Sequence, residues 1–209
     1  KKGDKKKLLD LSFRNARNYQ LERAKQKAAY KPDSKLEQLL HTLKEDLRLK
    51  ELPYYIECFD ISNTQGSNPV ASCVVFRNAK PSKKEYRHFI IKTVKGINDF
   101  ASIEEVVYRR FRRLMEDNES LPQLVIIDGG KGQLSSALKS LRTLNVEDKL
   151  RLIGIAKRLE EIYFPGDPVP LYLNKNSQSL KLIQNIRNEA HRFGITFHRN
   201  KRIKSALIS

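Results

Sequence analysis

Between Tyr54 and Val94 three runs, "YYIECFDIS", "PVASCVVFRN" and "EYRHFIIKTV", follow one another with only polar or Gly/Pro-containing turns between them. Runs rich in β-branched and aromatic residues and so briefly separated must double back on their neighbours, which predicts an antiparallel three-stranded meander. The texture then changes. Ser102 and Glu105 read as a capping box ahead of a helix with Ile103, Val106, Val107, Phe111 and Leu114 as its core stripe, and Arg109, Arg110, Arg112 and Arg113 over the rest of its surface. "QLVIIDGG" follows as a short continuous apolar run, the signature of a central parallel strand buried on both faces.

Leu134, Ala137, Leu138, Leu141 and Leu144 mark another helix, "LRLIGIAK" a further strand, and "EIYFPGDPVPLYL" a hairpin turning at Pro165 to Pro168. A last helix is expected over about 176 to 193, with Leu180, Ile183, Ile186, Ala190 and Phe193 on one face. The order βββαβαβ, hairpin, α is that of a ribonuclease-H-like α/β domain, a mixed sheet of meander and parallel strands flanked by helices; element order alone leaves other α+β folds open. Ahead of it, residues 1 to 50 read as a charged helical extension, with a second helix at about 35 to 49 begun by Ser34 and Glu37. The α/β domain is expected over 51 to 209. The missing initial methionine and the ending on "KSALIS" suggest a piece of a longer protein.

Charge narrows the partner. Lys and Arg total 41 against 24 Asp and Glu, a formal net charge of +17, far more than solubility requires, so a polyanion is the expected ligand. Cys58 and Cys73 sit in strand-like apolar runs with no CxxC or Cys/His spacing for zinc, which fits reduced core thiols of a cytoplasmic protein. No apolar stretch approaches the roughly 20 residues that span a bilayer.

Against that background an acid inside a buried strand stands out. Alternation puts Ile56, Cys58 and Asp60 on one face and Phe59 and Ile61 on the other, so Asp60 ends a strand that is apolar on both faces. Asp128 likewise ends "LVIID", directly before Gly129 and Gly130. If the two strands are neighbours, both carboxylates emerge at one sheet edge. Two such carboxylates repel unless a cation is shared, and Mg²⁺ favours a few carboxylates, waters and a phosphate oxygen. The alternative is that each Asp merely stabilises a turn. Asp99 is either a further acidic ligand or a favourable charge near a helix start. His191 is either a packing residue or, on a helix beside the strand ends, a ligand or proton carrier.

"DGGKGQ" is not a Walker loop, since Lys131 is followed by Gly132 and the earlier glycine is missing. What survives is a set of glycine amides and Lys131 at a helix start, suited to a backbone phosphate. Lys131, Lys157, Arg158, Arg192 and Arg199 are the candidate phosphate contacts; such contacts position a strand without reading its sequence.

The blocks "IECFDISNTQG", "VASCVVFRN", "EYRHFIIK", "INDFASIEEVVYRR", "LVIIDGGKGQLSSA", "IGIAKR", "EEIYFPG" and "RNEAHRFGITFHRNKR", in this order, closely resemble the C-terminal endonuclease region of the UvrC family, over about residues 50 to 204. The resemblance implies a ribonuclease-H-like fold and a Mg²⁺- or Mn²⁺-dependent DNA endonuclease that cuts on the 5′ side of a lesion in bacterial nucleotide excision repair. It puts the family's catalytic acids on Asp60, Asp99 and Asp128 and its histidine on His191, with Asp60, Asp128 and His191 as the metal ligands. Gly194 stands where the family often has Ala. Damaged double-stranded DNA and UvrB are the implied partners, and the family's GIY-YIG nuclease, its UvrB-contacting region and its tandem helix-hairpin-helix module lie outside this chain. The competing readings are a non-cleaving nucleic-acid-binding module of the same fold, and a nuclease of that fold acting on RNA or branched DNA.

Overall fold

The computed structural model describes residues 12–13, 15–17, 34–62, 70–94, 96, 98–156 and 161–206, with side chains from 197 onward left aside. Lys1–Gln38 and Leu39–Ser209 are separate compact units. In the first, residues 12–13 and 15–17 are helical, and the remainder of the predicted extension up to residue 33 lies outside the described residues. The Ser34 hydroxyl accepts from the Glu37 amide at 3.1 Å, the N-terminal half of the capping box. It opens α1 (Lys35–Asp46), whose later turns contribute Leu40 and Leu43 to the core of the second unit, with Leu47 following just past its end.

The sheet follows from sequence texture. β1 (Tyr55–Ser62) and β2 (Val70–Arg77) pair antiparallel, and Asn78 and Ala79 then turn the chain through two residues of positive φ, 52° and 57°, into the two-residue β3 (Lys80–Pro81). Two successive left-handed residues match the twist of a tight hairpin. The third predicted strand is shorter than its apolar run: β4 covers only Arg87–Ile90 and pairs with the other end of β2. After α2 (Asp99–Glu116), β5 (Leu124–Asp128) enters parallel to β1; α3 (Lys131–Thr143) then leads to β6 (Arg151–Ala156), parallel to β5. β7 (Glu161–Tyr163) closes the edge antiparallel to β6, and the expected hairpin partner is a single bridge from Ile162 to Leu171. The strand order is β3-β2-β1-β5-β6-β7, with β4 beside β2. This is the mixed, ribonuclease-H-like sheet expected from the element order.

Each sheet face carries its own core. On one, Ile56, Cys58, Val74, Phe76, Ile126 and Ile155 pack against Ile183, Ile186 and Ala190 of α4 (Gln178–Ala206). On the other, Phe59, Cys73, Val125 and Ile127 meet Ile103, Val107 and Phe111 of α2 and Leu134, Ala137 and Leu141 of α3. β5 is buried throughout, as its unbroken apolar run requires. Both cysteines are fully buried and free.

Three expectations need correction. α2 starts at Asp99 with Asn98 as its N-cap, accepting from the Ala101 amide at 3.1 Å; Ser102 lies within the first turn, buried, its hydroxyl donating to the Asn98 carbonyl. Arg110 does not cover the helix surface: it is buried and paired with Glu57, on the opposite sheet face from Asp60. Finally, α4 does not stop near 193 but runs to Ala206, carrying Gly194 within it at a cost of about 1 kcal/mol relative to alanine.

Candidate metal centre

The site grows from two strand ends. β1 and β5 are in register with Phe59 opposite Ile127, so one further step sets Asp60 beside Asp128. The condition posed by the sequence, that these strands be neighbours, is met. Both carboxylates lie on the α4 face of the sheet and are nearly closed off, 2% and 8% exposed. Beyond Asp128 the Gly129 amide donates to the Ile155 carbonyl at 3.1 Å and holds the turn against β6. There Gly154 is required: a Cβ at that position would meet the Gly129 carbonyl oxygen at 2.9 Å, forcing backbone to move next to Asp128.

α4 brings the third member. His191 Nδ1 lies 3.0 Å from Asp60 Oδ2, with the imidazole about half exposed. A carboxylate can only accept, so Nδ1 is the donor in this contact. One ligand atom each from Asp60, Asp128 and His191 lie within 4.8 Å of one another, and among the described residues no other group of three such side chains comes together. Two carboxylate oxygens and one imidazole nitrogen suit a hard or borderline divalent cation, and burial of the carboxylates makes a shared positive charge the natural counterpart. The residues present fit such an ion.

The remaining predicted residues stand differently. Asp99 is the first residue of α2 and is outside this group. Its neighbour Phe100 packs its ring where a side chain on Gly132 would have to go. Lys131 opens α3, but its ammonium donates to the Pro168 carbonyl at 2.8 Å and sits 5.1 Å from the Tyr163 ring, so it ties the α3 start to the β7 side. Arg192 is paired with Glu189 at 2.6 Å, and that bond holds the Glu189 carboxyl below the usual range. Lys157 and Arg158 lie outside the described residues, as does the Arg199 side chain.

Two residues on the same face escaped the sequence. Ser72 pairs with Asp60 across β1 and β2, and His88 pairs with Ser72 across β2 and β4. Only strand register could have found them. On the opposite face, the Glu57 carboxylate accepts from Arg110 at 2.6 and 3.0 Å and from the Tyr55 hydroxyl. Burial, reinforced by Glu57, pushes the Tyr55 hydroxyl far above its ordinary value. This network is a buried acid with its counter-charge supplied by protein, in contrast to Asp60.

The family model described as the UvrC RNAse H endonuclease domain matches residues 44–195. The UvrABC system protein C of Flavobacterium psychrophilum is 61% identical over 207 residues, covering 99% of this chain and 35% of that protein. Its counterpart in Christiangramia forsetii is 62% identical over 207 residues, with the same shares. The chain thus spans about a third of the length of these relatives. Among solved structures, human ENDOV is similar at 15% identity and a TM-score of 0.39, covering 59% of this chain and 58% of that one.

Proposed function

Since the chain belongs to the family of UvrC ribonuclease-H endonuclease domains, we propose that Asp60, Asp128 and His191 hold a divalent cation, Mg²⁺ or Mn²⁺, with which the domain hydrolyses a phosphodiester bond of DNA. The observation that carries this reading is the convergence of those three side chains to within 4.8 Å at the ends of two parallel strands. Bound there, a divalent ion supplies Lewis-acid activation of water and charge neutralisation at the leaving oxygen. The protein's own part is positional. Asp60 and Asp128 fix a pair of oxygens on a rigid, buried strand pair, and the Asp60 carboxylate holds the His191 ring in one tautomer. His191 would either face the ion with an unprotonated ring nitrogen or take a proton from water as it attacks phosphorus in line; the bond to the leaving oxygen breaks, and that oxygen then collects a proton from solvent.

Within the whole protein the substrate on this reading is damaged duplex DNA, the cut falls on the 5′ side of the lesion, UvrB is the partner, and the setting is the cytoplasm. Asp99, outside that group, is carried as a further catalytic acid on the family likeness. Lys131 and Arg192, neighbours in sequence of Asp128 and His191, contact backbone phosphates, with Lys157, Arg158 and Arg199 extending the same role.

Nicking of supercoiled plasmid tests the proposal. The chain is expected to nick with Mn²⁺ or Mg²⁺ and not without, and Asp60→Ala, Asp128→Ala and His191→Ala each to lower the rate by about 100-fold or more. Metal-dependent nicking that survives all three substitutions would overturn the site assignment. DNA binding independent of metal and of Asp60→Ala, with no cleavage by the intact chain, would favour the non-cleaving module.

A further inference from the structure

We propose that Ser72 and His88 are positioning residues that set the register of α4 on the sheet and thereby hold His191 against Asp60. The inference rests on the metal-site reading above for its functional meaning, though not for its geometry. Asp128, Asp60, Ser72 and His88 form one transverse row across β5, β1, β2 and β4: Phe59 pairs with Ile127 one step before the aspartates, Asp60 pairs with Ser72, and Ser72 pairs with His88. All four face α4.

The helix lies over that row and is bonded to three of its members within a single turn. The Ser72 hydroxyl donates to the Ala190 carbonyl at 2.8 Å. His191 Nδ1 donates to Asp60 at 3.0 Å. His88 Nε2 lies 2.9 Å from the Phe193 carbonyl, and a carbonyl can only accept, so His88 carries its hydrogen on Nε2. The His88 ring also stacks on the Phe193 ring, with centroids 3.8 Å apart at 18°. Tyr86 meets Phe193 edge-on at 5.0 Å and donates from its hydroxyl to Glu189 at 3.1 Å.

Apolar packing alone does not explain this set. The contacts of Ile183, Ile186 and Ala190 with the sheet are non-directional, and such a face tolerates small slides and rotations of the helix. A hydrogen bond weakens steeply beyond about 3.5 Å, so two side-chain donors aimed at helix carbonyls on either side of His191 penalise a slide that packing would permit. Ser72 is fully buried between Asp60 and His88 in the row, where an alanine would make no demand for a partner. Its hydroxyl is satisfied only while Ala190 stays in place. The row thus binds the helix through Ser72 and His88 and presents the metal ligands through Asp60 and Asp128.

The test uses the whole chain with Ser72→Ala combined with His88→Phe, which keeps a ring over Phe193 and removes the donor, and His88→Gln as the conservative variant with a side-chain N–H. Three quantities are read: the Mn²⁺ concentration for half-saturation by calorimetry without DNA, the imidazole nitrogen and proton signals of His191 by NMR without metal, and the urea midpoint. The double variant is expected to need about ten-fold more Mn²⁺, the effect typical of losing groups that orient a ligand, with loss of the hydrogen-bonded Nδ1–H signal of His191. His88→Gln restores most of the affinity and the signal. A double variant that binds Mn²⁺ like the parent with His191 signals unchanged, or that loses only stability, overturns the inference. If the parent binds no metal, the nuclease reading fails, yet the His191 signal still decides the positioning role. Should the double variant not fold, Ser72→Ala alone is read on the same three scales, and an unmoved His191 signal there is equally fatal.

Discussion

Two acids on one strand meet opposite fates. Glu57 and Asp60 are an odd number of positions apart on β1, so the pleat sends them to opposite faces, and both are buried. Glu57 is neutralised inside the protein by Arg110, with Tyr55 completing its hydrogen bonds. Removing one partner of a buried pair strands the other, so Glu57→Ala is expected to cost about 3–5 kcal/mol of stability, read as a lowered urea midpoint. Glu57→Leu with Arg110→Met, which removes both charges, is expected to recover most of it. Neither change should alter metal affinity in the folded chain. At this scale Asp60 and Asp128 were legible in the sequence because each is an acid closing an apolar strand. Arg110 falls inside the apolar stripe, between Val106 and Ile103, so a helical-period count could have shown its burial, but its partner, 53 residues away on β1, could not be read that way. Ser72 and His88 were hidden for the same reason: pairing across strands leaves no local mark.

The elements themselves were mostly legible, because period and texture decide them, whereas their ends depend on tertiary contacts. Asn98 and Ser102 both carry cap chemistry, and the earlier one prevails because Glu105, expected to reach back to Ser102, is engaged elsewhere. Its carboxylate accepts from the amides of Lys92 and Thr93, from the Thr93 hydroxyl and from Arg109, and so fastens the chain leaving β4 to α2. Burial opposes its ionisation, but those donors outweigh it and hold Glu105 below the ordinary carboxylate value of about 4.5. A carboxylate with a lowered folded value contributes stability that is fully present above its unfolded value and lost as pH falls through the folded one. Glu105→Gln is therefore expected to lower the urea midpoint at about pH 6, and the difference from the parent to shrink as pH falls below about 4.5. A difference independent of pH would mean that the side chain acts by shape rather than charge.

On the scale of the whole molecule the formal charge of +17 is the dominant fact. Binding to duplex DNA by such a surface releases counterions, and engagement of about five phosphates predicts a slope of log affinity against log salt near −4.5. Filter binding across a salt series measures it, and a slope near zero would remove DNA from consideration as the polyanion. The same experiment separates charge from chemistry, since Asp60→Ala should leave the slope in place while nicking disappears. Among the described residues no helix is long and apolar enough to cross a membrane.

The three side chains of the candidate metal centre come from β1, β5 and α4. Asp60 and Asp128 are joined by a parallel pairing that cannot form until α2 has been made between them, and His191 follows 63 positions after Asp128. During synthesis, then, the cluster does not exist for most of the time the chain does. A polypeptide halted anywhere before α4 lacks the imidazole and the helix that cover the two acids. On the proposed reading, order of assembly acts as a safeguard: the three candidate ligands come together only once α4 has docked on the sheet.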